Sequence, residues 1–188
     1  PRVKASTQMP GTVDGRAGVV IDGDPSTTWR SAFGPSTGAT IDVDLGRPAS
    51  FDELTFVVAA DGRHSVPTVI DLTTDRGEQR RLVLDPIESV QPGDSASVTV
   101  PIEPLVANAL TFRVAEVRER FSIDWYSAEP IVQPIGIAEI EIPGVEPVPP
   151  AARADDACRD EPLAQMRSQK PGPAGHQNTF NLRHERLP

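Results

Sequence analysis

Ile41-Asp42-Val43-Asp44-Leu45 sets apolar against acidic residues one by one, and Gly46-Arg47-Pro48 closes the run. Successive side chains of a strand point to opposite faces, so this period of two is a half-buried strand with its aspartates in water. The same alternation returns in Leu110, Phe112 and Val114, set against Thr111 and Arg113. Working outward, strands are expected at Leu54 to Val58, Thr68 to Thr73, Gln79 to Leu84, Ala96 to Ile102 and Ile135 to Ile142, with a turn at Asp75-Arg76-Gly77. No stretch of ten or more residues sustains a helical period, and no fixed repeat is present. The reading is all-β, seven or so short strands forming a sandwich.

The chain has 188 residues, 38% of them apolar, with 20 Pro and a net charge of −9. One domain is expected. The boundary falls at Glu146: residues 1–146 hold 22 acidic and 12 basic residues, whereas 147–188 are Pro-rich, nearly neutral and carry one aromatic, Phe180. Such a segment buries too little apolar surface to offset its ordering entropy, so 147–188 is read as a linker and tail, with at most a helical turn around Asp160 to Met166. An acidic surface repels phosphate backbones, which argues against nucleic acid. With 20 Pro, only 2 Met and Pro1 in place of an initiator Met, the chain reads as a piece of a longer protein; no run in it is apolar enough to span a membrane and no signal peptide stands at its front. Cys158, the lone cysteine, rules out an internal disulfide and leaves open a partner outside the piece.

The loop that carries chemistry is Val19-Val20-Ile21-Asp22-Gly23-Asp24-Pro25-Ser26-Thr27-Thr28-Trp29, oxygen-rich and turned at Gly23. Hard cations bind several oxygens from carboxylates, carbonyls and hydroxyls, although the EF-hand pattern is absent here. Downstream, Ile135 and Ile137 differ in parity from Ile140 and Ile142, which predicts an inserted residue near Ala138-Glu139, a bulge that re-aims side chains. Spacing alone fits equally a plain turn and an exposed strand glutamate.

Taken together, Ile21 to Ser31, the strand Ala39 to Leu45 and the closing Ile137-Ala138-Glu139-Ile140 resemble the coagulation factor 5/8 type C, or discoidin-like, family, over nearly all of 1–146. Asp124-Trp125-Tyr126-Ser127 and Pro134 to Glu139 resemble, more narrowly, the accessory modules of actinobacterial cell-wall arabinofuranosyltransferases. The resemblance implies a galactose-binding-like jelly roll with an irregular C-terminal extension. It also implies a structural Ca2+ held by Val19, Asp22, Asp24, Thr27, Ala138 and Glu139, with Trp29 in the core.

Ligand residues do not carry over from that family, because its rim loops vary. From residue type and loop length, the strand-poor Ala115 to Gln133 offers Arg118, Arg120, Trp125 and Tyr126, and the segment after Leu54 to Val58 offers Arg63 and His64. Trp125-Tyr126 as a cap on the core and Arg63-His64 as a solvated turn stand as the plain alternatives; Phe33 is a third platform. No catalytic motif is present, and Asp42 and Asp44 read as a solvated face. The expected function is a noncatalytic carbohydrate-binding module for arabinan or galactan-type cell-wall polysaccharide, on the extracytoplasmic side of a membrane-associated parent. An architectural or protein-interaction module of the same fold is the alternative. Membrane contact is disfavoured by the net charge and by the lack of a legible apolar spike cluster.

Overall fold

The computed structural model describes residues 1–11, 15–88, 91 and 93–149, all within the first of the two units into which the chain divides. Nine strands form it: β1 (Arg2–Ala5), β2 (Trp29–Arg30), β3 (Thr40–Ala59), β4 (Val66–Thr74), β5 (Gln79–Val83), β6 (Ser95–Arg118), β7 (Phe121–Ile123), β8 (Pro130–Val132) and β9 (Gly136–Glu141). One 3-10 turn, Ala17–Ile21, precedes the oxygen-rich loop. The expected helical turn near Asp160 lies outside the described residues, as does all of the tail beyond Pro149.

Two long antiparallel strands organise the whole, and they correct the sequence reading. Gly46-Arg47-Pro48 does not end a strand: β3 runs through it, and the separately expected 96–102 and 110–114 segments are one strand, β6. The β3–β6 register slips between Asp44 and Ala49 and again between Phe51 and Glu53, opposite Pro101 to Ala109. Proline lacks the ladder donor and Gly46 adopts a positive φ of 71°, so the ribbon bends here instead of stopping. The first half of β3 pairs with β1 and the second half of β6 with β4, which carries β5 at the edge; the second half of β3 pairs with β9, which also holds β2.

Bending one ribbon over itself makes the sandwich. Ile41, Val43, Leu110, Phe112, Ile70 and Leu72 of one layer meet Leu54, Phe56, Val58, Ile137 and Ile140 of the other, all buried. Phe56 and Phe112, one from each layer, stand edge to face with centroids 5.8 Å apart. Trp29 is fully buried, as expected, and its Nε1 donates to the Thr7 carbonyl at 3.1 Å.

The Ala138 bulge is present: Val57 opposes Glu139 but Val58 opposes Ile137, leaving Ala138 unpaired. Ile137 and Ile140 thereby both oppose inward residues, Val58 and Phe56, while Glu139 shares the other face with Val57. The segment Ala115 to Gln133 is less strand-poor than expected, since it holds the end of β6 and a β7–β8 hairpin in a two-stranded sheet of its own. No helix among the described residues is long and apolar enough to cross a membrane.

Phe56→Ala should lower unfolding free energy by about 3–5 kcal/mol, because it opens a cavity where the layers meet. Urea denaturation checks this; a loss below about 1 kcal/mol would mean that the two layers do not share that contact.

Candidate functional site

The oxygen-rich loop and the last strand meet through two buried carboxyl groups. Asp22 is 6% exposed and Glu139 5% exposed, so Glu139 is no solvated strand residue. Its face of β9, turned away from the hydrophobic core, is covered by the 3-10 turn and the loop that follows. Burial first, then the hydrogen bond to Asp22 and that group's like charge, push the Glu139 carboxyl up to about 8; the Gly23 and Asp24 amides oppose this. Oε1 of Glu139 is buried without a hydrogen-bond partner.

The rest of the loop presents oxygens to the same place. The Asp24 amide donates to Asp22 Oδ1 at 2.9 Å, and the Thr27 hydroxyl lies 3.0 Å from Asp22 Oδ2 and 2.9 Å from the Asp24 carbonyl. The Val19 carbonyl accepts the Asp22 amide at 3.3 Å. The Asp24 carboxylate is turned to Ser26, whose hydroxyl and amide donate to it at 2.6 and 2.9 Å and hold it below the usual carboxylate range. Asp24 therefore has its carbonyl, and not its side chain, on the Asp22 side. Gly23, at φ 78°, makes the turn. Among the described residues no group of three or more His, Cys, Asp or Glu side chains gathers as a metal cluster. Two carboxyls and neutral oxygens, with an orphaned Oε1 between them, fit a hard divalent cation better than a transition metal. A groove of about 320 Å3, lined by Gly23, Pro25 and Glu139 among others, opens onto this junction.

A second constellation lies where β2 and β9 emerge. Buried Trp29 opposes Ile137, so its neighbour Arg30, opposite Gly136, falls on the other face. Arg30 Nε donates to His64 Nε2 at 3.2 Å, and a permanently charged donor there places the imidazole proton on Nδ1, which faces Asp61 Oδ1 at 2.9 Å. Burial raises Asp61, but the His64 hydrogen bond, the amides of Arg63 and His64 and the imidazole's field outweigh it and hold the carboxyl below its usual range. Arg63 itself is exposed, and its amide donates to Asp61. A Cβ at Gly136 would stand 2.8 Å from Ala59 Cβ and 3.1 Å from Thr28 Cγ2, so glycine is what lets β9 pack against those two residues.

The β7–β8 hairpin is fastened beside this group. Fully buried Ser65 donates from Oγ to the Gln133 carbonyl at 2.6 Å and accepts the Arg120 amide at 3.0 Å. Trp125 and Tyr126 do not cap the core: they are 86% and 93% exposed at the hairpin's end, edge to face with each other at 6.3 Å. Phe121 and Ile123 are exposed as well, so an apolar cluster that the sequence did not reveal stands on the surface. Phe33, also exposed, joins it through the Gly34 amide on the Val132 carbonyl at 3.0 Å. Arg118 instead spends its guanidinium on the Ile87 carbonyl. The structure thus sets His64 against Arg30 and Asp61, seats the base of the hairpin next to them at Ser65, and leaves Trp125 and Tyr126 at the hairpin's far end. Arg30 was legible as the residue after a buried Trp in a strand, and Asp61 as the start of the Asp61-Gly62-Arg63-His64 turn.

Residues 2–155 match the family model described as arabinofuranosyltransferase D, third carbohydrate binding module. The chain belongs to that family. As a carbohydrate-binding module of these arabinofuranosyltransferases it is noncatalytic. No curated protein matches it in sequence. Among solved structures, the family 32 module of Clostridium perfringens NanJ, solved with galactose, is 14% identical at a TM-score of 0.53, covering 75% of this chain and 91% of its own. The Clostridium perfringens module CpGH89CBM32-5, solved with GalNAc-β-1,3-galactose, is 16% identical at 0.50, covering 75% and 93%. A pectin-binding module is 16% identical at 0.50, covering 79% and 94%. At these identities the likeness is one of fold, and it agrees with the jelly-roll sandwich.

The carboxyl pair gives a signed pH dependence. Glu139 binds its proton more tightly folded than unfolded, so without divalent cations the stability it contributes is whole below about 4.5 and is lost as pH rises through about 8. Melting temperature in EDTA should fall over that window, and added Ca2+ should raise it more at pH 8 than at pH 5. Glu139→Gln should flatten both trends; identical curves for variant and wild type would show that Glu139 does not titrate between the two states.

Proposed function

We propose that this module holds arabinan or galactan-type cell-wall polysaccharide for a larger arabinofuranosyltransferase, on the extracytoplasmic side of the membrane, without transforming it. The observation that carries this reading is the fixed Arg30, His64 and Asp61 group beside the base of a hairpin that bears the exposed Trp125 and Tyr126, in a carbohydrate-binding fold. Ring C–H surfaces pack on aromatic faces, and hydroxyls need donors and acceptors held in fixed orientation. Asp61 and Arg30 engage both ring nitrogens of His64, and the imidazole in turn holds the Arg30 guanidinium, whose remaining N–H groups are the oriented donors for a hydroxyl. Modules of the same fold were solved with galactose or GalNAc-β-1,3-galactose and another binds pectin, which supports a carbohydrate as the ligand class. A weak site of this kind works through effective concentration, keeping its parent near polymer.

We also assign a structural Ca2+ to the loop and last strand, held by the carboxylates of Asp22 and Glu139, the Thr27 hydroxyl and hydroxyl-adjacent carbonyl, and the carbonyls of Val19, Asp24 and Ala138. The ion would neutralise two buried like charges and tie the early loop to β9; binding only the folded chain, it stabilises by mass action. Its role is scaffolding, since β9 and β2 run from this junction to the rim where Arg30 and His64 stand.

Titration calorimetry with arabinan and galactan oligosaccharides tests the reading. Wild type should bind one of them, and His64→Ala and Trp125→Ala should each weaken binding by about tenfold while melting with the wild-type profile. A folded protein that binds neither polymer leaves an architectural module in its place.

A further inference from the structure

Every exposed aromatic side chain among the described residues stands at one end of the molecule: Phe33, Phe121, Trp125 and Tyr126. The β7–β8 register places Phe121 opposite Val132 and Ile123 opposite Pro130, so one face of this ribbon is apolar throughout. Phe121 and Ile123 are 62% and 64% exposed. A two-stranded ribbon is marginal in water on its own and this one keeps its apolar face uncovered, a costly arrangement unless something lies against it. Its base is fixed to the polar cluster by Ser65, which links Gln133 and Arg120, and to Phe33 through Val132. At roughly 3.3 Å per residue, Phe121 to Ile123 spans about 7 Å of strand, longer than one sugar ring, and the turn that follows carries Trp125 and Tyr126.

Resting on the glycan-binding reading above, we propose that this ribbon is a second, chain-binding subsite: Arg30, His64 and Asp61 orient one sugar, and Phe121, Ile123 and the tip aromatics carry the following residues of a neutral polysaccharide. The module then recognises lengths of chain and not a single terminal sugar. Neutrality follows from the charges that face the ribbon. Asp124 and Glu129 flank its tip, Glu119 and Arg120 stand with opposite charges at its base, and Arg118 is committed to the Ile87 carbonyl, so the balance along the ribbon is negative. The Asp124 carboxylate accepts from the Ser127 hydroxyl at 2.8 Å and amide at 3.0 Å and so stays ionised. A uronic-acid polymer would meet like charge along its length.

The test is binding by the full chain to a neutral arabinan or galactan series from monosaccharide to hexasaccharide, with polygalacturonate and phosphatidylcholine vesicles as further probes. Affinity should rise by at least about tenfold along the series, polygalacturonate and vesicles should not bind, and Phe121→Ser/Ile123→Ser should abolish the rise while leaving monosaccharide binding in place. Trp125→Ala, at the open tip, serves where the double variant melts early and should reduce the rise in the same way. Affinity that is flat with length, a rise that survives both variants, or vesicle binding lost in the double variant would each overturn the subsite. Binding of no neutral sugar at all would instead overturn the glycan reading on which it stands.

Discussion

Two carboxyl groups that repel one another, Asp22 and Glu139, are buried together where an early loop crosses the final strand. Burying like charges is among the more expensive things a fold can do, and a proton or a cation must offset it. The rest of the architecture makes the encounter unavoidable. The Ala138 bulge reverses the parity of β9, so that Ile137 and Ile140 both reach the core and Glu139 is delivered to the opposite face, under the loop. A regular strand would have to give up either an isoleucine or the glutamate.

The same strand connects that junction to the rim. β9 pairs with β2 at Trp29 and Arg30, and at Gly136 it packs against Ala59 and Thr28 with no room for a side chain. Buried Trp29 anchors β2 in the core, which fixes the neighbouring Arg30 outward against the imidazole. Order at the junction and orientation at the Arg30–His64 pair are thus set through one short stretch of paired backbone. The hairpin is held differently, by side-chain and backbone hydrogen bonds at Ser65, and it presents its apolar surface to solvent.

Much of the fold was legible because alternation is a local property. Ile41 to Leu45, Leu110 to Val114 and the parity break at Ala138 could each be read from a few residues, and the buried Trp29 followed from the family resemblance. What escaped was continuity. Gly46-Arg47-Pro48 and Pro101 to Pro104 look like strand ends, yet a ribbon already paired along its length bends through them, because long-range pairing outweighs local breakers. The short strands β1, β2, β7 and β8 were also missed, being two to four residues long and without room to show a period.

The ligand end was less legible than the oxygen-rich loop for a related reason. Asp22 and Glu139 stand in recognisable motifs and Asp61 shares a turn with His64, whereas Arg30 reaches that imidazole from a separate two-residue strand, β2. Exposure of Trp125 and Tyr126 was likewise undecidable from residue type, since a large aromatic is more often buried than not. The narrower family match, together with the placement of these side chains, turns a cluster of candidate residues into an oriented surface.

The most direct measurement is a crystal structure grown with millimolar CaCl2. The account predicts an ion between the oxygen-rich loop and β9, about 2.3 to 2.6 Å from carboxylate oxygens of both Asp22 and Glu139. Those two carboxyls still sharing a proton, with no density for an ion between them, would contradict it.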